Sequence, residues 1–481
     1  MTLCSSLEAQ NTLNAYIKDS ETKEALTGAT ALLLNTSNGV SADINGFVVL
    51  SNIPDGKHAV QFSFIGYEER TDTINFPLSD TLVIYLNSEG DELDEIVVSS
   101  TRSSRTIKDI PTRIEFIAGE ELDEKANMKP GDIRMVLSES TGIQTQQTSA
   151  TSANSSIRIQ GLDGRYTQIL KDGFPLFSGY SGGLGLLQTP PLDLKQIEVV
   201  KGSASTLYGG GAIAGLVNLI SKTPTKEREL RFLINGTSAK GLDVNGYYGK
   251  QFNKMGVTLF TSYNSNAAYE HPVRVDLTAN PKFERYTINP KLFFNLTEKT
   301  TLMLGLNTGI EKRIGGDLHY IAGKGDSIHS YFERNNTQRI STQFNLEHKF
   351  GKCSHLTLKN SYNSFNRLVQ TPGYEFNGTQ NATFTEFNYA NHGEKTEWIA
   401  GLNLWTDNFT EKKLDSIPLR NYDQTTFGGF IQNTVKAAKW LNIESGLRVD
   451  YVINYEPVIL PRVSLLFKIS PKLTSRLGGG L

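Results

Sequence analysis

The residues whose types and spacing suggest chemistry are few in this chain, and each fails on its context. Gly179-Tyr180-Ser181-Gly182-Gly183 fits G-x-S-x-G, the pattern that presents a serine nucleophile for acyl transfer. That geometry needs a strand before the serine and a helix after it, whereas Gly185-Leu186-Leu187-Gln188-Thr189-Pro190-Pro191 follows, which is no helix. Gly209-x-Gly211-x-x-Ala214 fits a loose dinucleotide fingerprint, but an apolar run follows it and no βαβ unit surrounds it. No His-x-x-Glu or His-Glu-x-x-His occurs, so no zinc-peptidase site is visible. The two cysteines, Cys4 and Cys353, lie far apart and have no metal-ligand spacing. The expectation is a protein that is not an enzyme, with no cofactor and no resident metal.

The elements must then be read for something other than catalysis. At 481 residues the chain is too long for one ordinary domain. With 48 basic and 50 acidic residues it lacks the charge of an electrostatic nucleic-acid binder. No run approaches 18 apolar residues, so no transmembrane helix is expected. A membrane β-strand needs only about 9–11 alternating residues, and a hydropathy average hides that pattern. Residues 1–10, MTLCSSLEAQ, lack the basic and apolar regions of a signal peptide, yet Ala9-Gln10 reads as the tail of one. They are expected to be a signal-peptide remnant of a clipped leader.

The most informative segment is residues 196–222, QIEVVKGSASTLYGGGAIAGLVNLISK. It reads as a buried strand at Ile197 to Val200, a tight glycine- and serine-rich connection, and a second apolar run from Leu216 to Ile220. Three consecutive glycines, Gly209 to Gly211, imply backbone conformations or close approaches that a side chain would forbid. The segment resembles the last part of the plug domain of TonB-dependent outer-membrane receptors, with Ser203 where that family usually has proline. Ile157-Arg158-Ile159-Gln160-Gly161, followed by ILKDGFP at residues 169–175, resembles the core of the same plug. LDEIVVSS, residues 93–100, resembles the TonB box: a β-prone run on an acidic tether, suited to adding a strand to a partner's sheet edge.

The resulting organisation is mainly β. Residues 11–87 carry short apolar runs separated by turn clusters, expected to form a small β-sandwich, and resemble the carboxypeptidase-regulatory-like domain that many Bacteroidota receptors carry. Residues 88–104 are a linker with the TonB box, and residues 105–224 an α+β plug with helices expected at Gly119 to Met128 and around Pro130 to Leu137. From residue 228 to 481 the chain alternates: Leu302, Leu304 and Leu306 oppose Thr301, Gly305 and Asn307, and Leu441, Ile443, Leu447 and Val449 oppose Asn442, Glu444, Arg448 and Asp450. Alternation alone fits a membrane barrel and a one-sided soluble sheet equally. Connection lengths favour the barrel, because short turns near residues 297–300, 351–353, 391–395, 437–439 and 470–472 alternate with longer links at 267–283, 314–335, 370–379 and 407–421. About thirteen strands are expected, the first part of an antiparallel transmembrane β-barrel and so a C-terminally truncated fragment of one.

The resemblance implies a function. It implies active uptake of a scarce large solute across the bacterial outer membrane, with the N-terminal domain and TonB box in the periplasm. The implied partners are TonB with its inner-membrane energising complex, a ferric siderophore or similar solute, and outer-membrane lipid, with no nucleic acid. Cobalamin or haem uptake, or a passive porin or adhesin, remain alternatives. The implied TonB-binding residues are Glu95, Ile96, Val97, Val98 and Ser99, and the implied plug–barrel charges are Arg158 and Arg165. Ligand contacts fall by position on plug loops (Gln146, Gln147, Phe177, Tyr180) and external loops (Tyr269, His271, His319, Tyr320, His329, Tyr331). Aromatics there can stack on a catecholate, corrin or porphyrin, and His319 or His329 can ligate haem iron. The plainer alternative is an interfacial tyrosine girdle with solvated histidines.

Overall fold

Seven short strands near the N-terminus form two sheets whose inner faces share one core. One sheet runs Phe47–Ile53, Asn11–Asp19, Leu82–Leu86, and the other Gly39–Ser41, Thr30–Leu33, Gly56–Ser63, Arg70–Phe76. Alternate residues point inward, so Leu13, Ala15 and Ile17 meet Val48, Leu50, Val60 and Phe62 in a dry centre. Two of the strands have no strong apolar signal. Arg70–Phe76 buries only Ile74 and Phe76, as an edge strand can. The computed structural model describes residues 11–20, 22–87, 98–103, 105–149, 151, 154–177, 179–183, 185–238, 240–270, 276–351, 353–412, 419–470 and 473–481. Residues 1–96 form one compact unit and 97–481 a second.

In the second unit, residues 196–222 fold as a hairpin around a kinked connection. The strand Leu194–Lys201 pairs antiparallel with Gly215–Ser221, placing Ile197 opposite Leu219 and Val199 opposite Val217. Between them sit two short helical turns, Ser205–Tyr208 and Gly210–Ala212, which the serine- and glycine-rich sequence did not advertise. Gly209 follows the first at φ +81°, a left-handed conformation that closes the turn at low cost only without a Cβ. Gly215 has φ +151°, and a Cβ there would lie 2.2 Å from the Val200 carbonyl oxygen. Five strands complete the sheet in the order Phe174–Phe177, Thr167–Lys171, Gly215–Ser221, Leu194–Lys201, Ile114–Ala118. Two helices cover one face. Gly119–Met128 buries Leu122 and Ala126, and Arg134–Ser138 buries Val136 and Leu137 against Ile197, Val199 and Leu219. Asp132 accepts from the Arg134 amide at 3.1 Å, satisfying one free N–H at the start of the second helix.

Residues 229–480 form a single antiparallel sheet of thirteen strands, each hydrogen-bonded to the next in this order. The first strand, Glu229–Gly236, and the last, Leu473–Gly480, each pair on one side only, so the sheet is an open part of a barrel. Its polarity is inverted relative to a soluble protein. In Lys282–Thr297 the buried residues are Arg285, Thr287, Asn289 and Lys291, while Tyr286 and Ile288 are both 51 % exposed. In Leu441–Val452, Asn442, Glu444, Arg448 and Asp450 are buried, and Leu447, Val449 and Tyr451 are exposed. Water would penalise this arrangement, and lipid favours it. The alternation that left two readings open is therefore settled by which face is covered.

The connections differ in length at the two ends of this sheet. At one end Phe252 and Met255, Thr297 and Thr300, Ala438 and Leu441, and Ser470 and Leu473 bracket tight turns. At the other end longer links separate Asn266 from Lys282, Gly316 from Phe332 and Glu411 from Tyr422. One expected long link, residues 370–379, is instead a two-residue turn: Thr371 pairs with Tyr374 across Pro372-Gly373, and Gly373 has φ +76°. Proline fixes the first turn position and glycine accepts the left-handed second, so the polar residues beyond continue the strand Tyr374–His392.

Candidate functional site

Three polar assemblies connect the plug sheet to its surroundings. The first holds the chain just beyond the box-like segment. Val98 is fully buried, and Ser99 and Ser100 present their amides to the carboxylate of Glu198, at 2.9 and 2.8 Å. Both serine hydroxyls also donate to Glu198, and Gln196 Nε2 donates at 2.7 Å. Tyr208 donates to the Ser100 carbonyl at 2.8 Å, and Asn218 Nδ2 to the Ser99 hydroxyl at 3.2 Å. Every one of these acceptors and donors, Gln196, Glu198, Tyr208 and Asn218, belongs to residues 196–222. Glu198 is fully buried in an interior strand of the plug sheet, where a carboxylate is tolerable because this many donors surround it. The motif that marks the plug is thus also the socket for the tether.

The second assembly ties the next residues to the inward face of the barrel sheet. Arg102 pairs with Glu386 at 2.8 Å, its guanidinium stacked over Tyr208 and Phe430. Ser103 donates to Glu397 at 2.5 Å, and Arg105 pairs with the same carboxylate at 3.3 Å. Thr112 donates to Glu444 at 2.7 Å, and Glu444 also pairs with Arg462. Asp109 pairs with Lys468 and, at 3.5 Å, with Lys436. Glu386, Glu397 and Glu444 are each at most 2 % exposed. Arg105 reaches the Lys395 carbonyl, so this assembly lies at the short-turn end of the sheet. Further round, barrel side chains hold plug backbone or carboxylates: Arg285 donates to the Gly131 and Leu187 carbonyls, and Lys291 pairs with Asp172. Beside these polar contacts, Leu207 of the plug packs with Ala390, Ile399 and Phe430 of the barrel sheet in a small apolar cluster.

The third assembly lies toward the long connections. Tyr180 stands among Phe365, Phe376 and Phe409, with ring centroids 6.0, 5.7 and 4.7 Å away. Its amide donates to the Tyr422 hydroxyl at 3.3 Å, and the Ser181 amide to Gln380 at 3.1 Å. Beside it is a cavity of about 680 Å³ lined by plug residues Arg165, Gln168 and Gly209–Gly211 and by barrel residues Trp405, Asp407, Arg448 and Asp450. A Cβ on Gly210 or Gly211 would meet nothing within 4 Å, so those glycines border open space. The volume lies in the range of small-molecule sites, about 300–1,000 Å³.

The plug residues match the TonB-dependent Receptor Plug Domain over residues 106–216. Residues 15–98 match the CarboxypepD_reg-like domain. The chain is 26 % identical over 271 residues to the ferrioxamine receptor of Yersinia enterocolitica, an alignment covering 53 % of the chain and 33 % of that protein. It is 28 % identical over 142 residues to the vitamin B12 transporter BtuB of Vibrio vulnificus, covering 29 % of the chain and 23 % of that protein. The solved siderophore receptor PirA from Acinetobacter baumannii superposes with a TM-score of 0.60 at 16 % identity, covering 76 % of this chain and 60 % of that one. Residues 106–216 thus match the plug of TonB-dependent receptors, and the relatives and solved structures that the chain resembles are receptors of that kind. The chain spans about a third of the length of the ferrioxamine receptor that it matches.

Within this chain the residues singled out by sequence are dispersed. Of the box, Glu95, Ile96 and Val97 lie outside the described residues, as does His271, and Val98 and Ser99 sit at the Glu198 socket. Arg165 pairs with its neighbour Asp163 at 3.1 Å, 72 % exposed, and not with a barrel carboxylate. Arg158 is half-buried on the strand Asn154–Ile159, its Nε without a hydrogen-bond partner. The arginines that reach barrel carboxylates are Arg102 and Arg105, which sequence reasoning passed over. Gln146 and Gln147 are exposed, and Gln147 accepts from Arg134. Phe177 ends the strand Phe174–Phe177, close in sequence to Tyr180. Tyr269 is 49 % and Tyr331 50 % exposed, and Tyr320 stacks on Phe332 at 4.5 Å. His319 and His329 lie together, 4.2 Å between centroids, and the hydrogen bond to Asp317 raises the His329 pKa above its ordinary value.

Proposed function

We propose that this protein is an energy-coupled outer-membrane receptor that takes up a ferric siderophore. In this reading the short-turn end of the barrel sheet faces the periplasm, with the N-terminal domain and the box, and the long connections face the outside. TonB, driven by its inner-membrane complex, adds the strand Glu95–Ser99 to its own sheet and pulls. The observation that carries the proposal is that Ser99 and Ser100, which directly follow the box in sequence, are held by Glu198, so that tension on the box acts first on an interior strand of the plug. The plug is seated by ion pairs and hydrogen bonds beside two small apolar contacts, at Leu207 and at Tyr180. Such an interface exchanges its partners for water more cheaply than a hydrophobic one exposes its surface. A ferric siderophore fits a polar and aromatic cavity of this size, and the ferrioxamine receptor and PirA support that cargo by likeness.

The cargo is tested by growth of a deletion strain under three separate limitations. Loss of growth on ferric siderophore as sole iron source, restored by the gene, is expected, with haem- and cobalamin-dependent growth unchanged. Loss confined to haem or to cobalamin would replace the cargo and leave the coupling mechanism standing. The product should fractionate with the outer membrane and show heat-modifiable gel mobility, and a soluble monomer without detergent would contradict the barrel.

A further inference from the structure

The loop that joins Thr300–Gly316 to Phe332–Lys349 brings three metal-ligating side chains together: Asp317, His319 and His329, with one donor atom of each within 4.8 Å of the others. We infer that Asp317, His319 and His329 form a binding site for a first-row divalent transition-metal ion of the zinc class. The sequence pattern is Asp-x-His-x9-His.

The donor geometry is close to what such an ion needs. Bonds of about 2.0–2.2 Å to nitrogen and oxygen in a tetrahedral shell put donors about 3.4 Å apart. Here Asp317 Oδ2 lies 2.9 Å from His329 Nδ1 and Asp317 Oδ1 lies 3.6 Å from His319 Nδ1, with one donor atom of each residue within 4.8 Å of the others. Binding exchanges the proton between His329 and Asp317 for the metal, and the three donors draw in toward that spacing. Two imidazoles and one carboxylate select zinc, nickel, cobalt or copper over magnesium and calcium, which prefer all-oxygen shells.

The donors are also held in place. Asp317 caps the short helix Leu318–Ile321, accepting from the His319 and Tyr320 amides at 2.7 and 3.3 Å, and its own amide donates to the Tyr331 carbonyl at 2.9 Å. The His329 amide is fixed by Asp326 at 2.8 Å. Asp317 is 9 % exposed, His329 29 % and His319 45 %, so three donors converge from the protein and the fourth position faces solvent. That open position takes water or a donor atom of an arriving chelate.

The histidine pair is arranged against clasping a haem. Two axial imidazoles on opposite faces of a porphyrin keep their centroids about 6 Å apart, from two bonds of about 2 Å and half a ring each. These rings lie side by side at 4.2 Å, inclined by 32°. They converge on one small ion. The site stands independently of the proposed uptake function, which enters only in placing the loop outside the cell.

The test is a titration of the full chain in detergent with zinc sulfate, read by calorimetry. One zinc per chain is expected, weakened at least about tenfold by His319→Ala and by His329→Ala. Protection of His319 and His329 from diethylpyrocarbonate by zinc in the unmutated chain reads the same site without relying on a variant's folding. Absence of saturable binding, undiminished affinity in both folded variants, or unprotected histidines would each overturn the site.

Discussion

Glu198→Ala is expected to detach the tether from the plug without unfolding the barrel. The substitution strips the shared acceptor from the Ser99 and Ser100 amides, both serine hydroxyls and Gln196. Ser100 is buried, so its donors lose their partner without gaining water, at a combined cost on the order of 3 kcal/mol. Glu198→Gln should cost less, because the amide keeps one accepting oxygen. The measurement is hydrogen exchange at the Ser99 and Ser100 amides together with limited proteolysis across residues 98–103. Faster exchange and new cleavage near Arg102 are expected in the alanine variant, with the strands of the barrel sheet unchanged. Wild-type protection in the Glu198→Ala protein would show that the socket does not hold the tether.

The second large effect is expected from Arg102→Ala. Glu386 is 1 % exposed and would lose the guanidinium that pairs with it, with Asn388 still donating to it at 3.1 Å. Losing one partner of a buried pair costs about 3–5 kcal/mol, more than the intact pair contributes. The packing of the guanidinium over Tyr208 and Phe430 is lost as well. Arg102→Ala combined with Glu386→Gln should recover part of that loss, because the stranded charge is gone. A double-mutant cycle on the urea dependence of exchange in the plug strand Leu194–Lys201 measures it. Strictly additive single effects would mean that Arg102 and Glu386 are not coupled.

Both effects converge on residues 98–112, the stretch least legible in the sequence. The surrounding fold was readable because its signals are local. Period-two alternation marked the barrel strands, the glycine-rich connection marked the hairpin of residues 196–222, and the helix Gly119–Met128 falls where its pattern placed it. The strands Gly39–Ser41 and Arg70–Phe76 lack the apolar runs that mark the others, and as edge strands their form depends on a neighbour more than on their own residues. The turn at Pro372-Gly373 carried its signal openly, but the aromatic and polar run after it outweighed that signal.

The charged interface was hidden for a different reason. Arg102 and Glu386 are 284 residues apart, and Thr112 and Glu444 are 332 apart. No local period relates them, and only the register of the folded sheet brings them together. A partial signal existed. Arg102 and Arg105 stand three apart just after the tether, and Glu386, Glu397 and Glu444 occupy inward positions of alternating strands. Carboxylates facing inward in a barrel require cations, and these arginines are near the point where the plug begins.

The central claim is that force enters through Glu95–Ser99. Its most direct test is uptake of labelled ferric siderophore by cells producing the protein with residues 95–99 deleted, with surface binding measured in parallel. Binding at the wild-type level with uptake reduced to the background of a strain lacking the gene is the expected result. Uptake surviving intact in the deletion would contradict energy coupling through this segment.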